Sequence, residues 1–258
     1  VNLDKELRES ILNENWLLLY QPKLDIKTNV IVGVEALIRW KHPIRGILSP
    51  YEFIEFAEQR GLISAIGDWV IKTACIQIQS WITQGIDCKI SVNVSAMQLK
   101  EEDFSGRLIR TLIAHGIPPR QFELELTEST LMNNFDIALP CLKRLNSSGI
   151  KIAIDDFGTG YSSLGYLKNL PISILKIDRI FIKDICNDAN DKQIVQALIN
   201  MAHSLNMKVI AEGVEETDQL ELLKAYNCDE IQGYLLSKPI TSEEITVMLS
   251  KPSHLKIN

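Results

Sequence analysis

Histidine is scarce in this 258-residue sequence, and its four copies do not have the spacing of a metal site. His42, His115, His203 and His254 stand far apart, and none follows an apolar run that predicts a strand. Zinc and copper sites usually draw on imidazole or thiolate ligands at short, regular spacings. The sequence therefore argues against a zinc enzyme, and a metal site in this chain needs oxygen ligands.

Cysteine is also sparse, because only five residues occur, at wide spacings and without a C-x-x-C string. This usage is typical of reduced thiols in the core of a cytoplasmic protein, so we expect no disulfide framework. Long apolar runs are missing as well, since nothing approaches the roughly 18 consecutive apolar residues of a membrane span. We therefore expect a cytoplasmic domain that makes no membrane contact of its own.

Positive charge is in deficit, because 27 Lys and Arg residues face 33 Asp and Glu residues, which gives a net charge of −6. A chain of this sign lacks the basic surface that binds duplex nucleic acid, so a nucleic-acid polymer is excluded as a partner. An acidic protein that handles a smaller polyanion needs cations placed locally, either metal ions or a few Lys and Arg side chains.

The sequence is rich in short apolar runs that alternate with longer amphipathic segments. Within a single domain over 1–258, a lead-in helix is predicted in 1–15 and a barrel over 16–250. Alternation of this kind favours parallel strands joined by helices, and eight strands in about 240 residues predict an α/β fold, a (β/α)8 TIM-like barrel. An open doubly wound sheet is the alternative. The predicted strands are 16–20, 31–38, 89–94, 122–126, 151–154, 174–177, 208–211 and 229–231.

The two ends of the sequence add two expectations. The opening segment resembles a hairpin, in which Gln21-Pro22 closes the first strand and a turn follows at Thr28-Asn29, so we expect an irregular first strand that runs antiparallel to the second. The sequence begins at Val1 rather than at Met, which favours a fragment of a longer multidomain protein.

Polar side chains stand at the carboxyl ends of most predicted strands. In a barrel these ends meet on one face, where such enzymes carry their sites. A single acid there would be explained by a helix cap or a surface ion pair, but many in register repel one another unless a divalent cation lies between them. Oxygen ligands alone favour magnesium, manganese or calcium. The residues concerned are Glu35, Asn93, Glu125, Glu128, Asp155, Asp156, Lys176, Asp178, Glu212, Glu215 and Gln232.

The most distinctive stretch is the fifth predicted strand, which ends in Asp155-Asp156 and continues into Gly158-Thr-Gly160. Taken alone, the stretch is explained equally well by a turn or by a metal site beside a phosphate. The string Asp156-Phe-Gly158 also occurs in protein kinases, but the other kinase motifs are missing. The glycine loop lacks the G-K-[ST] of a P-loop, so as an isolated signal it is weak.

Taken together, these residues resemble the EAL domain family of cyclic di-GMP phosphodiesterases. The resemblance covers about residues 16–239, and no position that the family uses for chemistry departs from the pattern. The matching strings are Tyr20-Gln-Pro22, Glu35-Ala-Leu37 with Arg39-Trp40, Pro50 to Glu58, Asn93-x-Ser95, Glu125-x-Thr-Glu128, Ile154 to Tyr161, Lys176-Ile-Asp178, Glu212-Gly-Val-Glu215 and Gln232 to Pro239.

The resemblance implies hydrolysis of cyclic di-GMP to linear 5'-pGpG by a two-metal mechanism with Mg²⁺ or Mn²⁺. A catalytically silent cyclic di-GMP receptor or interaction module is the alternative, which the loss of a metal ligand would favour. In the family pattern one ion is held by Glu35, Asn93, Glu125 and Asp155, and the other by Asp155 and Asp156 with help from Glu212 and Gln232. Catalytic roles go to Glu35, Lys176 and Glu212, and substrate contacts to Gln21, Arg39 and Gln232.

Two of these residues also have plain structural explanations. Lys176 has the charge to orient a water molecule or to stabilise developing charge, or it forms a strand-end salt bridge. Arg39 has the bidentate geometry that suits a phosphate, or it forms an ion pair at the barrel rim.

Glu128 has a different role in the family, where it anchors the glycine-rich loop rather than a catalytic metal. The resemblance therefore implies a mobile loop made of Phe157, Gly158, Thr159, Gly160, Tyr161, Ser162 and Ser163. In the family this loop contributes to dimer contacts, so we expect a homodimer.

Overall fold

The structure is a computed structural model that describes residues 3–158 and 164–250. From residue 89 onward its strands occur as short segments between helices, as the apolar runs of the sequence predict. The strands are β1 (Trp16–Asp25), β2 (Val30–His42), β3 (Gly46–Leu48), β4 (Lys89–Asn93), β5 (Phe122–Thr127), β6 (Lys151–Phe157), β7 (Ile174–Ile177), β8 (Lys208–Ala211) and β9 (Glu230–Gln232).

The helices include the predicted crossovers and several shorter elements that the sequence patterns do not indicate. Two 3₁₀ turns, Pro50–Glu52 and Pro119–Gln121, accompany them. The helices are α1 (Leu3–Leu12), α2 (Ile54–Gln59), α3 (Ile63–Thr83), α4 (Ala96–Leu99), α5 (Phe104–Ala114), α6 (Glu128–Asn133), α7 (Phe135–Ser147), α8 (Leu164–Leu167), α9 (Arg179–Lys183), α10 (Ala189–Ser204), α11 (Thr217–Ala225) and α12 (Ser242–Ser250).

Eight of the strands close into a barrel. β2 pairs in parallel with β4, and parallel pairing continues in chain order from β4 to β9. β1 completes the ring because it pairs antiparallel with both β2 and β9, whereas β3 only extends β2 as a hairpin. The predicted TIM-like barrel with an antiparallel first strand is confirmed, and the open sheet is excluded because the sheet has no break at β1.

The predicted end of the first strand at Gln21-Pro22 is wrong, because β1 continues through these two residues to Asp25. Proline lacks a backbone N–H and is tolerated where a strand has a partner on one side only. β1 pairs with β9 only from Lys23 to Asp25, so Pro22 precedes the stretch that has strand neighbours on both sides. The strand therefore passes Pro22 and carries Lys23 into the barrel.

Apolar packing lies mainly between the strands and the surrounding helices, whereas the barrel interior is largely polar. Alternate residues of a strand point to opposite faces, and the large apolar residues of the strands point outward to the helices. Inside the barrel, Ala153, Ile174 and Ile210 form a small separate apolar cluster. The remaining interior accommodates buried charged side chains, which are described below.

Helix α1 packs against the barrel through a second cluster, which contains Leu7, Trp16, Trp40 and Phe53. The indole N–H of Trp40 donates to Ser10 Oγ at 2.8 Å. All five cysteines are free thiols. Within residues 3–158 and 164–250, every helix is too short or too polar to cross a membrane.

Candidate active site

The carboxyl ends of the parallel strands bring together the polar side chains that the sequence pattern singles out. Because parallel strands of a closed barrel all end at the same rim, residues distant in sequence become neighbours there. The rim carries Glu35 of β2, Asn93 of β4, Glu125 of β5, Asp155 and Asp156 of β6, Lys176 of β7, Glu212 directly after β8, and Gln232 of β9.

A first group of carboxylates consists of Glu35, Glu125 and Asp155, all buried. One oxygen from each lies within 4.8 Å of the others. Amide groups fix Glu35 from two sides, because Asn93 Nδ2 donates to its Oε1 at 2.7 Å and Gln232 Nε2 donates to its Oε2 at 2.7 Å. The group is thus a preformed set of converging oxygen atoms.

A second group consists of Asp155, Asp156 and Glu212, so the two groups share Asp155. In a regular strand, Asp155 and Asp156 would point to opposite faces. The β6–β7 register shifts between Ile154 and Phe157, and Asp156 adopts a positive φ of 55°. Aspartate tolerates this left-handed conformation better than most residues, and the irregularity lets both carboxylates face the same site.

The ammonium group of Lys176 lies between the two groups and is completely buried. Its Nζ contacts four carboxylates: Glu35 at 3.4 Å, Asp155 at 3.1 Å, Glu212 at 2.7 Å and Glu125 at a short hydrogen-bonding distance. Burial alone would lower the pKa of Lys176, but these carboxylates outweigh burial and raise the pKa well above its usual value. Lys176 is therefore a permanent positive charge at the centre of the site.

Two acids of the site are hard to ionise. Burial raises the pKa of Glu35, and the charge of Glu125 raises it further. Burial also raises the pKa of Glu212 well above its usual value, although Lys176 opposes this. The site thus has less positive charge than its carboxylates require.

Asp156 and Glu125 behave in opposite ways. Burial raises the pKa of Asp156 to about 7, and the charge of Asp155 and a hydrogen bond with Asp178 add to the shift. Glu125 is fully buried, which would raise its pKa, but Lys176 and a second lysine, Lys23, hold it well below its usual range.

The donor set fits a divalent cation. Every ligand atom that the two groups offer is a carboxylate oxygen, and hard cations such as Mg²⁺ and Mn²⁺ prefer oxygen ligands. Gln232 Oε1 is buried and has no hydrogen-bond partner among the described residues. A buried amide oxygen without a partner is costly, and a cation or its water would satisfy it.

The sequence pattern of the EAL domain matches residues 4–239, which is most of the chain. This chain belongs to the EAL domain family. The family is metal-dependent, in agreement with the acidic cluster at the rim.

Relatives with named activities are similar over nearly all of this EAL domain. The bifunctional diguanylate cyclase/cyclic di-GMP phosphodiesterase MucR of Pseudomonas aeruginosa is 43% identical over 241 residues, which are 93% of this chain and 35% of MucR. The cyclic di-GMP phosphodiesterase NbdA of the same organism is 41% identical over 93% of this chain and 31% of NbdA. The chain therefore spans about a third of the length of these curated relatives.

A solved structure of the PaMucR phosphodiesterase in complex with c-di-GMP has the same fold. It superposes on this EAL domain with a TM-score of 0.91 and 42% identity, over 95% of this chain and all of that chain (100%).

The predicted substrate contacts lie at the same rim. Gln21 is buried, accepts a hydrogen bond from Gln232 Nε2 at 3.0 Å and donates to the Ser237 carbonyl at 3.3 Å. Arg39 is part-buried and donates to the Ile38 carbonyl at 2.9 Å. Among the described residues Arg39 has no carboxylate in salt-bridge range, so the rim ion pair does not explain its presence in the EAL domain.

Two acids of the family motifs, Asp178 and Glu128, have structural contacts. Asp178 caps helix α9, because its Oδ1 accepts from the backbone N–H of Ile180 at 2.7 Å. Glu128 is buried and its Oε2 accepts from the backbone N–H of Gly158 at 2.9 Å. This bond joins the start of α6 to the segment after β6. Of the predicted loop, Phe157 and Gly158 are described, and Thr159, Gly160, Tyr161, Ser162 and Ser163 lie outside the described residues.

Sequence reasoning missed Lys23, which is buried beneath the rim. Its Nζ donates to Glu125 Oε1 and to Ser91 Oγ, both at 2.6 Å, and lies 3.7 Å from Glu123 Oε1. The sequence contains one signal that could have found it. Gln21 and Lys23 are two residues apart, which places both on the same face of an extended strand.

Proposed function

We propose that this EAL domain hydrolyses one phosphodiester bond of cyclic di-GMP and releases linear 5'-pGpG, with two Mg²⁺ or Mn²⁺ ions. The observation that carries the proposal is the pair of carboxylate groups that share Asp155. The named activities of MucR and NbdA, and the c-di-GMP complex of PaMucR, support the choice of substrate.

The proposed ligands follow from the two groups. Glu35, Glu125 and Asp155, with the amide of Asn93, hold one ion, and Asp155, Asp156 and Glu212 hold the other. When bound, such a pair of cations neutralises phosphate charge and generates a nucleophile from water near neutral pH. Gln232 has a buried oxygen without a partner among the described residues, which suits contact with an ion, its water or the substrate.

The other proposed roles belong to side chains of the chain itself. Lys176 holds the carboxylates in place and directs its positive charge at the position where negative charge develops on the phosphate. Arg39 has a guanidinium without a carboxylate partner among the described residues, so its charge is available for a phosphate oxygen pair. Gln21 and Gln232 orient each other and present amide groups to the nucleotide.

The test is to incubate the purified chain with cyclic di-GMP and Mg²⁺ and to separate the products by chromatography. We expect pGpG, and none after chelation of the metal. As a control, the variant Lys89→Met should also form pGpG, because Lys89 lies outside the rim. Binding of cyclic di-GMP without any product would contradict hydrolysis and support the receptor alternative.

We also propose that 1–258 is a single cytoplasmic EAL domain of a longer protein and that it forms a homodimer. The length of MucR and NbdA supports further domains, and the five free thiols suit a reducing compartment. Ile180 of α9 and Ile194 of α10 are exposed and offer apolar surface for a second copy. Sedimentation of the purified chain would test the dimer, and a single monomeric species at micromolar concentration would contradict it.

A further inference from the structure

Lys23 is a buried charge for which the proposed chemistry has no use. It comes from β1, the antiparallel strand, and lies one layer below the rim on the interior side of Glu125. Its side chain is about as inaccessible as that of Lys176, with 1% of the residue surface exposed against 0%. A buried lysine needs partners that compensate its lost hydration, and Glu125 and Glu123 are those partners.

The two lysines divide the oxygen atoms of Glu125 between them. Lys23 holds Oε1 at 2.6 Å, and Lys176 holds Oε2, the oxygen on the side of Glu35 and Asp155. Lys176 is shared with three other carboxylates, whereas Lys23 is directed at Glu125 and the more distant Glu123. Of the two ammonium groups that contact Glu125, Lys23 is therefore the one with fewer other carboxylate partners.

The charge balance of the barrel interior shows why the ion pair between Lys23 and Glu125 is important when no metal ion is bound. Glu35, Glu123, Glu125 and Asp155 are buried carboxylates, and the buried ammonium groups that face them are Lys23 and Lys176. Removing one partner of a buried ion pair leaves an uncompensated charge, which is strongly destabilising. A divalent cation at the first carboxylate group would provide the missing positive charge next to Glu125.

We propose that Lys23 is the internal counter-ion that keeps the acidic site assembled when metal has left, and that it thereby limits the affinity of the site for metal. Its loss raises the free energy of the metal-free form more than that of the metal-bound form. Any change that destabilises the metal-free form selectively must tighten metal binding by the same factor. This inference rests on the proposed metal site but not on the hydrolysis of any nucleotide.

The test compares wild type, Lys23→Met and Lys89→Met. Methionine keeps the length of the side chain and removes the charge. Lys89 is a matched control, because its substitution removes the same charge from β4, the strand beside β5, and it contacts Glu123 at 3.6 Å without reaching Glu125. Its side chain is 39% exposed, so its ion pair contributes little. The first measurement is the melting temperature, with chelator and with saturating Mn²⁺. The second is the Mn²⁺ dissociation constant, measured by calorimetry at about pH 8 because metal affinity depends on pH.

We expect Lys23→Met to lower the melting temperature in chelator by about 10 °C and by about half as much in Mn²⁺. We expect its Mn²⁺ affinity to rise about tenfold, the factor that corresponds to about 1.4 kcal/mol. Lys89→Met should match wild type in both measurements. A variant that folds only in Mn²⁺ would support the proposal in its strongest form.

Three results would overturn the inference. One is an equal loss of melting temperature with and without Mn²⁺, or unfolding in both, which would give Lys23 a purely structural role. Another is weaker Mn²⁺ binding by Lys23→Met. The third is equally tightened binding by Lys89→Met, which would point to net charge alone. If wild type itself bound no Mn²⁺, the proposed metal site would be wrong as well.

Discussion

Acidification should weaken the binding of one divalent cation, because Asp156 must be ionised to act as a ligand. Burial, then the charge of Asp155 and a hydrogen bond with Asp178, raise the pKa of Asp156 to about 7. Between about pH 8 and about pH 6 the ionised fraction falls from about nine tenths to about one tenth, so affinity falls about tenfold from this group alone. Glu212 lies in the same cluster of three carboxylates as Asp156 and also has a raised pKa, which makes the fall of metal affinity with pH steeper.

Calorimetric titration of the purified chain with Mn²⁺ at these two pH values measures the effect. Repeating the titration in buffers of different ionisation enthalpy counts the protons released, and near pH 6 we expect about one proton from Asp156 for each ion bound at the second group. The control is Asp156→Asn, which should bind the second ion weakly at both pH values. An unchanged affinity in wild type, or a full pH dependence in Asp156→Asn, would refute the reasoning.

The same shift has a consequence for the stability of the metal-free protein. A carboxyl whose pKa is higher in the folded state than in the unfolded state binds more protons when folded. Such a carboxyl does not affect stability below the pKa of about 4 that it has in the unfolded state. As the pH rises from there towards about 7 it destabilises the folded protein increasingly, and above about 7 the loss of stability stays constant. The melting temperature in chelator should therefore fall over this range, and Asp156→Asn should flatten the curve. A melting temperature that rises over the same range would contradict the assigned pKa.

Three further substitutions test the site and the segment that follows β6. Glu35→Ala should reduce the formation of pGpG by more than about 100-fold, because substituting residues that only support a metal ligand already costs about 10–100-fold in activity. Its circular dichroism spectrum should stay unchanged, and full activity would disprove the metal assignment. Gly158→Ala should lower the melting temperature by several degrees, because φ is +98° and the new Cβ would lie 2.8 Å from the ring of Phe181, and an unchanged value would contradict this. Glu128→Gln weakens the bond to the Gly158 N–H, so turnover should fall while Mn²⁺ affinity stays constant.

The barrel and its rim were predictable because each parallel strand carries a local signal. An apolar run that ends in an acid or an amide marks the carboxyl end of a strand, and closure of the barrel then brings such ends together. Asp155 illustrates this, since it follows directly after Ile152-Ala153-Ile154, whereas Glu125 follows Leu124 in a strand that alternates apolar residues with acids. The pairing of Asp155 with Asp156 was harder to interpret, because a regular strand separates neighbouring side chains and the register shift in β6 is a tertiary feature.

Lys23 was missed for a reason that lies in the direction of β1. On a parallel strand the residue at the rim follows the deeper residue, as Glu125 follows Glu123. β1 runs the other way, so its register pairs Gln21 with Glu35 at the rim and Lys23 with Gly33 one layer below. A search for polar residues at carboxyl ends finds Gln21 only through the family string and overlooks Lys23. The reversal also has a chemical effect, because β1 brings the amide of Gln21 to the rim and the buried ammonium of Lys23 to the oxygen of Glu125 that Lys176 does not contact.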